Sequence, residues 1–393
     1  MQAVNIEDLR LAARRRLPKA IFEFIDGGAH DEATLKANRA DFEKLVFQPR
    51  YLVDVSLRNL KTTVLGEELS APLIVAPTGM IGIARRKGEL MSARAAEQAG
   101  VGFCLSCMSS VSVDEVAAVR SKPFWFQLYV LRDRSACEKM LARAKAAGCS
   151  VLVVTVDVPV LGQRERDNRN GFTVPPRLTA ANALDMLRRW DWLADVALGP
   201  RPTFANVAPL VPNGGDLTTL SRFIGEQLEP GLAWKDFDWL RRVWDGPIAL
   251  KGVLAPDDAR RAVDCGADAI VVSNHGGRQL EGAVSSIAAL PAVAEAVGGR
   301  IEILLDSGIR RGSDVVKALA LGAKAVLIGR ANFFGVAAGG EAGASAAFRI
   351  LKGEIDNTLA LLGRPDVSTL DRSIFVGGEP GRNAPPAALP LAS

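Results

Sequence analysis

Short apolar runs recur along the chain, each closed by small or polar residues. They are Leu73-Ile-Val-Ala-Pro77, Val101-Gly-Phe-Cys-Leu-Ser106, Phe124-Trp-Phe-Gln-Leu-Tyr-Val130, Val151-Leu-Val-Val-Thr-Val-Asp157, Pro247-Ile-Ala-Leu-Lys-Gly252, Asp268-Ala-Ile-Val-Val-Ser-Asn274, Ile301-Glu-Ile-Leu-Leu-Asp306 and Lys324-Ala-Val-Leu-Ile-Gly329. They are β-branched and nearly continuous in hydrophobicity, as strands buried on both faces of a parallel sheet should be. Between most of them lie Ala-, Glu-, Arg- and Leu-rich helical patterns, such as Gly88 to Glu97 and Pro256 to Val263. Gly148, Gly266 and Gly322 stand just before the next apolar run and read as helix C-caps. Strands and helices alternating eight times predict an α/β fold, the (β/α)8 TIM barrel. A doubly wound sheet is the rival, but no G-x-G-x-x-G turn follows any strand.

The pattern divides a single domain over residues 1–375, with the barrel at about 71–375. Residues 1 to about 70 read as an N-terminal helical extension, and a long insertion, about 160–245, follows strand four. Residues 376–393, rich in Gly and Pro, read as a flexible tail.

Composition narrows the function classes. The chain has 393 residues, 48% hydrophobic and 23% charged, which is globular and too apolar for disorder. A net charge of +4 is small for this length and excludes no class but gives no reason to expect nucleic-acid binding. The five scattered cysteines fit a reducing compartment better than a disulfide framework. The opening residues show no apolar signal segment, and no run of about 18 apolar residues exists, so a soluble or peripherally bound cytoplasmic protein is expected. Only two histidines occur, His30 and His275, which excludes a His-rich metal site and leaves few candidates for a histidine base.

In a barrel the chemistry sits at the C-terminal strand ends. Those ends carry Thr78-Gly79, Ser106, Gln127 with Tyr129, Thr155 with Asp157, Lys251, Ser273 to Arg278, Asp306 to Arg310, and Gly329-Arg330. Polar groups at nearly every end of otherwise apolar runs are not what core packing alone would select. The segment Ser273-Asn-His-Gly-Gly-Arg-Gln279 places a histidine beside two glycines and a guanidinium, which suits removal of a proton from a 2-hydroxy acid. Asp306-Ser-Gly-Ile-Arg-Arg-Gly312 and Gly329-Arg330 follow strands seven and eight, where barrels commonly hold phosphate.

These motifs, with Phe126-Gln-Leu-Tyr-Val130, Thr155-Val-Asp157, Gly162-Gln-Arg-Glu-Arg-Asp167 and Lys251-Gly252, resemble the FMN-dependent (S)-2-hydroxy acid dehydrogenase and oxidase family. The likeness runs from Leu17 to Leu361. That family includes glycolate oxidase, bacterial L-lactate dehydrogenase and (S)-mandelate dehydrogenase. The resemblance implies FMN as cofactor and His275 as the base, with Asp157 holding its imidazolium. It implies Arg164 and Arg278 on the substrate carboxylate, and Tyr129 on the substrate hydroxyl. Lys251 would sit by flavin N1. Ser106, Gln127 and Thr155 would meet the flavin edge, with Pro77, Thr78 and Gly79 near N5. Ser273 joins the cofactor set, Asp306 reaches the ribityl chain, and Gly308, Arg310, Gly329 and Arg330 bind the phosphate.

Three positions depart from the family pattern. Phe24 stands where tyrosine is usual, which makes the pocket more apolar and favours a bulky or aromatic substrate side chain over that of L-lactate, and Met108 stands where glycolate oxidase has tryptophan, which changes the pocket wall. Glu281 replaces a common aspartate and is assigned no role. The insertion mixes Trp190, Trp192, Arg188, Arg189 and leucines; it suits either an interfacial membrane segment or a helix packed on the barrel or another subunit. The resemblance favours the membrane, at the inner face, with a quinone or other electron acceptor and a homotetramer. A soluble oxidase producing hydrogen peroxide is the near alternative, an FMN-barrel isomerase a distant one, and a non-enzymatic binding module the last. Cys104-Leu-Ser-Cys107 is read as buried thiols, His30 as a surface or loop residue, and Arg14-Arg-Arg16 as a solvated helix face.

Overall fold

The computed structural model describes residues 3–171, 179–197, 199, 202–211, 220, 223 and 225–378, so nearly all of the expected tail lies outside the described residues. A short antiparallel hairpin, β1 (Thr62–Val64) and β2 (Glu67–Leu69), precedes the barrel. Eight parallel strands then close on themselves: β3 (Leu73–Val75), β4 (Gly102–Ser106), β5 (Phe124–Tyr129), β6 (Cys149–Thr155), β7 (Ile248–Val253), β8 (Ala269–Val272), β9 (Glu302–Leu305) and β10 (Ala325–Ile328). Closure is made by β10 against β3, with Val326 opposite Leu73 and Ile328 opposite Val75. This is a (β/α)8 barrel, as the sequence pattern predicts.

The strand sequences explain why both faces are apolar. Ile74, Cys104, Trp125, Val153, Val271 and Leu327 point inward and fill the barrel. Their neighbours Leu73, Phe103, Phe126, Leu152, Ile270 and Val326 point outward beneath the helices. Successive side chains alternate faces, so a strand covered on both sides must be apolar throughout.

The N-terminal extension is helical only in its first part: α1 (Ile6–Arg16), α2 (Lys19–Asp26) and α3 (Ala33–Glu43). Residues 44–70 run without helix over the barrel and end in the hairpin, where Val64 and Leu69 join the interior cluster. Pro49 and the β-branched, short polar stretch Val53-Asp-Val-Ser56 disfavour helix there. Trp125 Nε1 donates to Glu67 at 2.9 Å and Leu65 N to Glu302 Oε2 at 3.0 Å, which anchor the hairpin against the strands.

Among the described residues the insertion contributes four short α-helices, Glu165–Arg169, Ala180–Arg188, Trp190–Ala197 and Phe237–Val243. Its two tryptophans part company. Trp192 is buried and donates to the Ile83 carbonyl at 2.7 Å, while Trp190 is 70% exposed beside exposed Leu184 and Leu187. Arg16 is not solvated, contrary to expectation. It donates to the Ala84 carbonyl at 2.7 Å and to Asp195 at 2.8 Å, tying α1 to the insertion. Glu281, given no role from sequence, accepts the Ala33 N–H at 2.8 Å and so caps α3. Cys104 and Cys107 are buried free thiols and His30 is exposed, as read from the sequence.

The last helical segment, Arg330–Leu362, folds back on itself at Gly339 and Gly340. Gly340 adopts φ 61 and ψ −137, a conformation open essentially to glycine. The two arms then cross where Gly335 and Gly343 touch, and a Cβ on Gly343 would collide with the Gly335 carbonyl. Replacing Gly343 by valine is expected to cost about 1–3 kcal/mol of stability through overpacking. A fall in the urea midpoint with an unchanged slope would register it.

Candidate active site

The C-terminal ends of the strands surround a cavity of about 490 Å3. Its wall contains Pro77, Thr78 and Gly79 after β3, Ser106 and Met108 after β4, Tyr129 on β5, and Lys251 on β7. His275 and Arg278 follow β8; Asp306, Gly308 and Arg310 follow β9; Gly329 and Arg330 follow β10. Arg164 comes from the insertion and Phe24 from α2. Of the residues singled out from sequence, Gln127, Thr155, Asp157 and Ser273 are set back behind this wall and act on residues within it.

The turn after β8 fixes the histidine. His275, Gly276 and Gly277 have φ of 59, 70 and 73, three left-handed residues in succession. Backbone donors are satisfied by Ser273 Oγ for His275, Ser307 Oγ for Gly276 and Asn274 Oδ1 for Gly277, at 3.0, 2.9 and 3.0 Å. A Cβ at Gly277 would meet the backbone of Leu35, so only glycine lets α3 approach this closely. The strained left-handed histidine is held by its surroundings, as is common at functional sites.

His275 Nδ1 lies 2.9 Å from Asp157 Oδ1, and Nε2 lies 3.3 Å from the Tyr129 hydroxyl. A buried carboxylate accepts only, so Nδ1 carries the proton and Nε2 presents a lone pair to the Tyr129 O–H. Burial pushes the imidazole pKa down, and Lys251 and Arg164 add to that effect against the opposing pull of Asp157. Burial raises the Asp157 pKa, but His275 and Lys251 outweigh it and the carboxyl stays below its ordinary value. Burial, with Asp157 and Cys107 nearby, pushes the Tyr129 phenol far up, so it keeps its proton. Asp157 Oδ2 is buried without a hydrogen-bond partner among the described residues.

At the cavity floor, Lys251 Nζ sits 3.1 Å from Asp306 Oδ2 and donates to Ser273 Oγ at 2.9 Å. Burial opposes its charge, but Asp306 and Asp157 hold the ammonium pKa above its ordinary value. A chain of amides and hydroxyls runs beside it. Ser106 Oγ donates to Gln127 Oε1 at 2.8 Å, and Gln127 Nε2 donates to Thr155 Oγ1 at 3.0 Å.

Four arginines surround the rest. Arg330 gives its donors to the carbonyls of Ile25, Gly27 and Gly276 at 2.7–2.9 Å. Arg278 donates to the carbonyls of Phe24 and Gly27, at 2.6 and 3.0 Å, and stacks on the Phe24 ring at 5.1 Å. Arg310 donates to its neighbour's carbonyl at 2.8 Å. Burial and mutual repulsion pull Arg310 down to about 9 and Arg330 down to about 10, and lower Arg278 well below its ordinary value. Arg164, lowered by burial, has Asp167 at 4.0 Å. Carbonyl dipoles orient these cations but do not neutralise them, so the cavity is built for anions.

The arrangement fits FMN. Arg310 and Arg330 form a cationic cradle at the loops after β9 and β10, where a phosphate suits the fold. The Lys251 ammonium and the Ser106, Gln127 and Thr155 series suit a polar, electron-accepting ring.

Several residues in the wall carried no role from sequence. Asp167 is buried close to Arg164 and Arg278, where burial raises its pKa despite both cations. It stands three residues after Arg164 on one helical turn, a spacing visible in the chain. Phe204, Val158, Leu161 and Phe333 make the cavity more apolar. Nothing in the periodicity marks Phe204, which reaches the site only because the insertion folds back over the barrel.

The model of the FMN-dependent dehydrogenase family matches residues 13–376. An L-lactate dehydrogenase of Caulobacter vibrioides is 45% identical over 94% of this chain and 96% of its own length. One from a Caulobacter species, strain K31, is 46% identical over 94% and 97%. Among solved structures, the monotopic membrane protein (S)-mandelate dehydrogenase superposes with a TM-score of 0.92 at 40% identity, covering 96% of this chain and 100% of the other. A mandelate oxidase gives 0.81 at 40% identity, covering 94% and 98%. The chain belongs to the FMN-dependent dehydrogenase family.

Proposed function

We propose that this enzyme oxidises an (S)-2-hydroxy acid with an aromatic side chain, mandelate-like, to the 2-keto acid, and that it passes the electrons to a quinone or similar small acceptor. The observation that carries this is one cavity in which a neutral, carboxylate-backed imidazole faces two buried arginines. Arg164 and Arg278 hold the substrate carboxylate, the planar anion that their charge and fork geometry match. Tyr129 donates to the substrate hydroxyl. His275 Nε2 takes the substrate proton, and Asp157 stabilises the imidazolium through Nδ1. FMN would supply the two-electron acceptor when bound, with Arg310 and Arg330 to hold its phosphate and Lys251 to favour its reduced ring.

The apolar wall of Phe24, Met108, Leu161 and Phe204 favours an aromatic substituent. L-lactate is the second reading, favoured by the identity to the Caulobacter enzymes. Trp190, Leu184 and Leu187, exposed beside Arg188 and Arg189, support peripheral contact with the inner face of the cell membrane. Among the described residues no helix is long and apolar enough to cross one. A homotetramer is the assembly that the family resemblance supports.

Anaerobic titration of the yellow protein with (S)-mandelate is expected to bleach the flavin band at lower concentration than L-lactate does. A protein bleached by neither would overturn the reaction assigned here, and oxygen uptake with stoichiometric peroxide would replace the dehydrogenase by an oxidase. Because burial lowers the His275 pKa, the free enzyme holds the competent base at neutral pH and loses it as pH falls. The acid limb of kcat/KM is therefore expected below the ordinary histidine value of about 6.5. Asp157→Asn removes the group that pulls this pKa up, so the limb should move lower still while kcat drops by roughly 10²–10⁴. Stripping FMN should lower the thermal midpoint, since ligand at a hundredfold excess over Kd contributes about 2.7 kcal/mol. Riboflavin should restore less than FMN does, because it brings no phosphate to Arg310 and Arg330.

A further inference from the structure

A second cavity, about 410 Å3, adjoins the first. The two share Tyr129, Val158 and Leu228, so a single layer of side chains stands between them. It lies outside the barrel proper. Val154 and Leu250, from the outer faces of β6 and β7, form its floor, and Leu240 of the helix Phe237–Val243 forms one side. Leu232 and Trp234, on the stretch returning from the insertion, close it over.

The two cavities differ in charge. The first is lined by Arg164, Lys251, Arg278, Arg310 and Arg330. Among the described residues the second is lined by no arginine, lysine or histidine, and its polar rim is acidic: Glu229, Asp236 and Asp258. Asp236 is held by Arg134 at 3.1 Å and by the Ala233 N–H at 2.8 Å, and Glu229 accepts the Gly231 N–H at 2.7 Å. An anionic hydroxy acid or keto acid is attracted to the first cavity and repelled from the second. A neutral apolar molecule meets the reverse, since an apolar ring gains little from desolvating buried cations but does gain from covering Trp234, Leu232 and Leu240. The volume lies within the range of roughly 300–1,000 Å3 usual for small-ligand pockets.

We propose that this second cavity receives the electron acceptor, a neutral, flat molecule of the quinone class, one side chain away from the reacting centre. The proposal rests on the hydroxy acid dehydrogenase reading above. The quinone takes up the two electrons and two protons that the hydroxy acid gives up, becoming a hydroquinone and restoring the oxidised cofactor. Separate cavities let the acid and the acceptor bind without competing, with Tyr129 as the shared wall.

Leu232→Trp, which fills the cavity without touching the first one, tests this in the FMN-loaded protein. The probe is 2,3-dimethoxy-5-methyl-1,4-benzoquinone. Equilibrium dialysis against the oxidised enzyme should show binding weakened at least tenfold, and reoxidation of the substrate-reduced enzyme by the quinone should slow at least tenfold. Anaerobic bleaching by the hydroxy acid should stay within twofold of the parent. Should Leu232→Trp fail to fold or to retain FMN, Trp234→Ala, which removes the aromatic wall, is expected to show the same selective loss. Unchanged quinone binding and reoxidation in a folded variant would overturn the proposal. So would a raised KM for the hydroxy acid with the quinone unaffected, since the cavity would then belong to the substrate. A parent enzyme that bleaches with hydroxy acid but neither binds nor reacts with the quinone overturns the acceptor site and leaves the reaction standing, whereas no bleaching at all defeats the reaction itself.

Discussion

Five cations converge at one end of the barrel: Arg164, Lys251, Arg278, Arg310 and Arg330. Concentrating buried positive charge is costly unless anions or dipoles answer it, and most of the surrounding architecture is an answer to that cost. Lys251 is matched by Asp306 and Asp157, and Arg164 has Asp167. Arg278 and Arg330 have carbonyls in place of carboxylates. In the function proposed, the charge left over is what would bind a carboxylate at one end of the cavity and a phosphate at the other.

The source of those carbonyls gives the N-terminal extension a purpose. Phe24, Ile25 and Gly27 lie at the C-terminal end of α2, where backbone carbonyls have no intrahelical partner and the helix dipole is negative. Arg278 and Arg330 occupy that end. The helix end needs donors and the arginines need acceptors, so one contact completes both. Arg10, bonded to Asp26 at 2.6 and 2.7 Å, secures α2 from the other side. The insertion works in the same sense. Arg166 pairs with Glu32, and Asn170 donates to Glu23 at 2.5 Å, which fastens the segment bearing Arg164 and Asp167 onto the extension.

Within this frame the base chemistry is a matter of placement. Asp157 reaches His275 from the end of β6, and Gln279 Nε2 donates to the Asp157 carbonyl at 3.0 Å, so the two halves of the pair are braced by the same β8 turn. The left-handed backbone at His275 is tolerated because Ser273 and Ser307 accept the amides of that turn and glycines follow it. Pre-setting the ring in this way spares the enzyme from ordering it when substrate arrives.

Residues whose role follows from the strand period were legible in advance. Two-sided burial forces continuous apolar runs, so a polar residue at the end of a run, such as Tyr129, Lys251 or Asp306, stands out against its neighbours. The cofactor could be read from the family motifs, and the residues that meet as His275 and Asp157 from such positions. What depends on packing between distant segments could not. Nothing in Phe204 or Leu228 announces that the insertion folds back to the cavity, and the partner of Arg16 lies 179 residues away at Asp195. Residues 44–70 departed from the helical expectation, and the packing of Val64 and Leu69 into the barrel interior is a contact that exists only once the barrel has closed. The chain by itself determined the barrel and the chemical groups at its mouth, through local periodicity and residue type. The tertiary structure alone decided which carbonyls meet the arginines and how the insertion leaves a cationic cavity at the barrel mouth and a second, acid-rimmed one against the outer faces of the strands, because those follow from long-range contacts that no local pattern encodes.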